Sequence, residues 1–112
     1  MEITDAQIGR IRHLNDLLRC RGVGGEVMVT AGLDALGTAT VIRILLEVAA
    51  FTDFNGDNDP HGEHDCGVLS VNGLSIAFKI DYFDRTLTYR SADPADPSLT
   101  VRIMTVMLSH EY

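Results

Sequence analysis

"CGVLSVNGLSIAFKIDYFD", residues 66–84, decides the fold. Asn72-Gly73 stands between two strand-like runs, and both residues accept the positive φ of a type I′ turn, so the stretch reads as a β-hairpin. On its second strand Ile76, Phe78, Ile80 and Tyr82 share one face, with Ala77, Lys79, Asp81 and Phe83 on the other. Lys79 and Asp81, two residues apart, are placed to pair on that second face. "LTYRS", residues 87–91, following Asp84-Arg85, reads as a third strand of the same meander.

Toward the N-terminus, "ITDAQIGRIRHLNDLLRC" carries a helix start: Thr4 as N-cap, Gln7 three residues on, and Ile3 positioned to staple to Ile8. Ile8, Ile11, Leu14, Leu17 and Leu18 recur at helical spacing, and Arg10, Arg12, Asp16 and Arg19 are expected in water. "RGVGG" ends the helix, and residues 26–30 read as a short strand. A second helix is expected to start near Gly37 or Thr38. Its apolar arc of Val41, Ile42, Leu45, Leu46, Val48 and Ala49 predicts the most buried helix of the domain. In "SADPADPSLTVRIMTVMLSHEY", Asp96 as N-cap and Pro97 at the first helical position predict a third helix, with Leu99, Ile103, Val106 and Met107 as its buried stripe. This order gives an α+β fold in a single domain over 1–112, with an antiparallel sheet of three to four strands and three helices packed largely on one face.

A chain of 112 residues buries one core and folds without staples. Cys20 and Cys66 lie in unrelated contexts and read as free thiols of a reducing compartment. The N-terminal stretch has no apolar signal-like run, and residues 41–51 are interrupted by Arg43 and Glu47, so a soluble cytoplasmic chain is expected. The net charge of −7 argues against nucleic acid as a direct ligand and favours a protein partner with a basic surface. No membrane contact and no cofactor is expected.

"NDPHGEHDCG", residues 58–67, concentrates the chemistry-bearing side chains. Asp and Asn side chains bond nearby amides, Pro60 fixes a turn, and Gly56 and Gly62 admit positive φ, so the loop is expected to be ordered by its own hydrogen bonds. Asn58, Pro60, Gly62 and His64 are assigned to that scaffold. Asp57, Asp59, Glu63, Asp65, Asp81 and Asp84 are the carboxylates expected to meet a partner, with Asp93 and Asp96 adding to the field. The alternative is a divalent metal held by His61, His64 and Asp65 with Glu63 as general base. Its spacing matches no zinc signature. A calcium loop counted from Asp53 or Asp57 fails at the sixth or twelfth position. No phosphate loop and no nucleophile elbow is present, and no catalytic residue is assigned.

"FTDFNGDNDPHGEHDCG", "FKIDYFD" and the closing "SADPADPSLTVRIMTVMLSHEY" together resemble an uncharacterised, DUF3768-like family of alphaproteobacterial genomes and plasmids, over most of the chain. Asn58, Asp59, Glu63, His64, Asp65, Lys79, Asp81 and Tyr82 fall within its motifs. The resemblance implies no chemistry. It implies a context of mobile elements, and with it an anti-defence role.

Three functions follow as expectations. The first is an acidic module that inhibits a host nucleic-acid-targeting complex, of anti-CRISPR or antirestriction type. The second is the metal-dependent hydrolase or nuclease built on residues 61–65. The third is a homodimer that uses an exposed sheet edge.

Overall fold

The computed structural model describes residues 3–112. Helix α1 (Asp5–Arg21) is followed by β1 (Glu26–Val29), a one-turn α2 (Ala31–Asp34), α3 (Thr38–Ala50), β2 (Cys66–Val71), β3 (Leu74–Phe83), β4 (Val101–Leu108) and a terminal 3-10 turn (Ser109–Glu111). The four strands form one sheet in the order β1-β4-β3-β2. The fold is α+β, as expected. The sheet is mixed: β2, β3 and β4 are antiparallel, whereas β1 joins β4 in parallel.

The local signals hold where the sequence places them. Thr4 caps α1 in a full capping box with Gln7. The β2–β3 hairpin closes through Asn72 (φ 51°) and Gly73 (φ 80°), the positive pair that a type I′ turn requires. Helix α3 starts at Thr38 behind Gly37, and Lys79 pairs with Asp81 at 3.0 Å.

The C-terminal segment differs. Residues 101–108 are a strand, not a helix, and β4 lies between β1 and β3. Asp96 accepts the amide and hydroxyl of Ser98, as a cap does, but nucleates only a turn. The alternating Arg102, Met104 and Val106 then face the core, and Leu99 of the expected helical stripe is exposed. Segment 87–91 makes no strand. It contributes a single bridge, Arg90 to Phe83, because Asp84 gathers the amides of Thr86, Thr88 and Tyr89 into a turn.

All three helices contribute to one core on one side of the sheet. Ile11 and Leu18 of α1, Leu33 of α2, and Ile44 and Val48 of α3 pack with Ile76, Phe78, Ile80, Tyr82, Met104 and Val106. Helix α2 was not anticipated; Thr30 caps it by accepting the Leu33 amide. Helix α3 is not the most buried. Ile42 and Leu46 point to solvent, while α1 buries Ile11, Asn15, Leu18 and Arg19.

Arg19, expected in water, is turned inward by the end of α3. Its Nη1 donates to the carbonyls of Val48 (3.0 Å), Ala49 (3.0 Å) and Phe51 (2.8 Å), and the guanidinium lies over the Phe54 ring. These are orphan carbonyls of a helix C-terminus, where the macrodipole also favours a cation. The Arg19 contacts fix the point at which the acidic loop leaves α3.

Candidate functional site

Loop 52–65 is held by its own backbone before anything else touches it. The Asn55 side chain accepts the amides of Asp57 and Asn58, and the Asn58 side chain returns bonds to the Asn55 amide and the Asp53 carbonyl. Asp59 Oδ1 accepts the amides of Glu63 (3.1 Å) and His64 (3.2 Å). Gly62 takes φ 71°, and the second strained position is His64 (φ 56°) rather than Gly56. Pro60 is exposed at the turn, and Asn58 accepts the Cys66 thiol at 3.7 Å through its carbonyl.

Helix α1 then anchors the loop to the domain. Arg12 donates to the Gly62 carbonyl (2.6 Å) and Asn15 to the Glu63 carbonyl (3.0 Å). His64 stacks on Phe54 with ring centroids 3.9 Å apart, and its Nδ1 donates to Asp16 (2.9 Å). Deeper still, Tyr82 donates its hydroxyl to Glu63 Oε1 (2.6 Å), Asn15 donates to that hydroxyl (2.8 Å), and Arg102 donates to Asn15 Oδ1 (2.6 Å) and to the Pro94 carbonyl. Asn15, Tyr82, Glu63 and Arg102 are all buried. This chain of bonds ties the loop, α1, β3, β4 and the 93–100 turns together.

The expectation that Asp59 and Glu63 face a partner does not hold. Both are buried, because each carboxylate satisfies groups inside the fold that would otherwise be unpaired: two loop amides for Asp59 and the Tyr82 hydroxyl for Glu63. Asp57 is exposed at the loop tip. Asp65 and Asp81 are half-buried and line one concavity with Lys79, Thr105 and Glu111, and Asp84 holds the turn after β3.

The alternative metal ligands are not brought together. His64 is committed to Phe54 and Asp16, and His61 is exposed. Among the described residues no group of three or more His, Cys, Asp and Glu side chains converges to hold an ion. Of the residues within the family-like motifs, Asp59, Glu63, His64 and Tyr82 cluster, whereas Lys79 and Asp81 lie on the opposite sheet face. Sequence reasoning missed Asn15 and Arg102. The available signal for Asn15 was a polar residue four after Ile11 and three before Leu18, at the centre of an apolar stripe.

Burial and hydrogen bonding to Glu63 push the Tyr82 hydroxyl far above its ordinary range, so it stays a donor. Burial, reinforced by Asp65 and Asp59, raises the Cys66 thiol and disfavours the thiolate. Burial, then the neighbouring Glu63 and Asp59 charges, also raises the Asp65 carboxyl, with a hydrogen bond from the backbone opposing. A raised folded-state pKa means a cost to folding that is absent below the unfolded carboxylate range near pH 4, grows through it, and is complete at neutral pH. Asp65→Asn is therefore expected to raise the thermal midpoint at pH 7, with the gain vanishing near pH 3; paired melts at the two pH values check this.

No helix among the described residues is long and apolar enough to cross a membrane. A family model described as a protein of unknown function (DUF3768) matches residues 29–111, a span that begins in β1 and includes the acidic loop, β2, β3 and β4. No curated protein and no solved structure matches the chain.

Proposed function

The chain belongs to the DUF3768 family, and on that premise we propose that it is a small acidic protein-binding module whose partner presents a basic surface. The observation that carries this reading is charge left unneutralised. Among the described residues only Asp16, Glu47, Asp59 and Asp81 come within ion-pair distance of a cationic or histidine side chain. Asp53 and Asp57 stand exposed on a loop fixed by side-chain bonds, so their carboxylates are presented without a cation to answer them.

Elsewhere the fold holds surface carboxylates in the charged form. The Thr86 hydroxyl, with neighbouring amides, keeps Asp84 below the usual carboxylate range, and Ser98 does the same for Asp96. A compact domain with this field steers toward cationic surfaces and away from phosphate backbones. A host nucleic-acid-targeting complex carries such a cationic surface. Occupying it makes the module an inhibitor of anti-CRISPR or antirestriction type.

The test is kinetic. With a partner captured from host lysate, Asp53→Asn combined with Asp57→Asn should slow association on the order of tenfold at low salt and flatten its salt dependence, with dissociation nearly unchanged. Both side chains are exposed, so the thermal midpoint should stay put. An affinity that ignores both ionic strength and these substitutions overturns the reading.

A further inference from the structure

The two edges of the sheet are not alike. β1 is four residues long, and brevity is one of the ordinary ways an edge is kept from pairing. β2 runs for six residues, Cys-Gly-Val-Leu-Ser-Val, with no charge, no proline and an unbroken register from Cys66↔Lys79 to Val71↔Leu74. In a chain of net charge −7 this is an unguarded edge.

The direction of its free groups follows from one bond. Ile80 donates its amide to the Asp65 carbonyl (2.7 Å), which makes 65 and 80 a hydrogen-bonded pair. Antiparallel pairs alternate, so Gly67, Leu69 and Val71 also bond to β3, and the amides and carbonyls of Cys66, Val68 and Ser70 point away from it. No described residue donates to or accepts from these outward main-chain groups. Val68 between them is 62% exposed, and the still more open Tyr112 lines the same hollow.

We propose that β2 pairs antiparallel with β2 of a second copy about a two-fold axis through Val68, joining two four-stranded sheets into one. In this register Val68 faces the partner's Val68, and Cys66 faces the partner's Ser70. Every outward group of the strand then has a counterpart of the opposite kind, which a self-complementary C2 contact requires.

Charge does not oppose this occupant where the two strands meet. Two acidic copies repel over most of their surface, but the paired segment contains no carboxylate. Asp65 falls opposite the partner's Val71, and the two Asp65 side chains are six residues apart along the ladder, roughly 20 Å at ~3.4 Å per residue. That exceeds the Debye length of about 8 Å at physiological salt, so their repulsion is screened.

Sedimentation equilibrium from about 1 µM to about 1 mM, combined with amide hydrogen exchange, tests the assignment. The mass should double with concentration, and the amides of Cys66, Val68 and Ser70 should become protected in the dimer and exchange freely on dilution. Those of Gly67, Leu69 and Val71 should be protected throughout. Val68→Lys should weaken the dimer at least about 100-fold by placing like charges on the axis, while leaving the melting of the diluted chain unchanged. A monomer at every concentration overturns the proposal. So does a dimer whose outward amides still exchange, or protection that arises only when a different protein is added.

Discussion

Arg102→Ala is expected to cost about 3 to 5 kcal/mol, the largest loss for any single side chain here. Arg102 is 2% exposed and the largest of the fully buried side chains. Its removal does three things together. It orphans Asn15 Oδ1 and the Pro94 carbonyl, takes away a cation whose charge is felt by the buried Glu63 carboxylate, and opens a void beside the Tyr82 ring, over which the guanidinium lies at 5.1 Å. Unsatisfied buried acceptors cost about 1 to 3 kcal/mol each, so the total is a large fraction of a domain's stability. Urea denaturation gives the value directly. Arg102→Lys should recover only part of the loss, because an ammonium restores the charge without the fork that reaches both Asn15 and Pro94. A shift below about 1 kcal/mol for Arg102→Ala would show that the buried chain of bonds is replaceable.

Gly25→Ala is expected to cost about 3 kcal/mol, through crowding rather than loss. A Cβ at this position collides with the backbone carbonyl of Arg102 and comes within 3.0 Å of a Leu18 methyl. Backbone cannot step aside as a flexible side chain does. Relief requires β1 to move off β4 where the two strands meet in parallel, Glu26 opposite Ile103. The matched control is Gly24→Ala, whose position has open space around it but a φ of 87°, so it carries backbone strain without collision. Thermal melts of the two variants should therefore separate, with Gly25→Ala the lower.

What the sequence made legible were features decided within a few residues. The capping box at Thr4 and Gln7, the Asn72-Gly73 turn and the alternation along β3 each contain their own cause. Residues 97–108 do not. They match a helix at Leu99, Ile103, Val106 and Met107 and a strand at Arg102, Met104 and Val106, and the choice between them rests on a slot between β1 and β3 formed by residues far away in the chain. The β-branched Val101, Ile103, Thr105 and Val106 suit that slot.

The same non-local logic turned Arg19 and Asn15 inward. A charged or amide residue on α1 reads as solvated until the carbonyls ending α3, or the Glu63–Tyr82 pair, stand opposite it. In the acidic loop, composition pointed to side chains bonding nearby amides, and Asn55, Asn58 and Asp59 make such bonds. It did not distinguish carboxylates that hold the loop, Asp59 and Glu63, from one that faces outward, Asp57, because that division depends on which amides the turn aims at each side chain.

The position of β4 also dictates when the domain can fold. Of the four strands it is translated last, yet it occupies an inner place in the sheet and, among the described residues, supplies the only strand partner of β1. While the chain is still being made, α1, α3 and the hairpin can form from local contacts, but β1 has nothing to pair with and β3 is left with one unpaired edge. Closure then spans more than seventy residues in a single step, from Glu26 to Ile103. A chain stalled or cleaved before Arg102 presents two open strands and an unfinished core, the kind of species that chaperones retain and proteases clear. The sheet of the nascent domain is thus completed only once its final strand is free to pair.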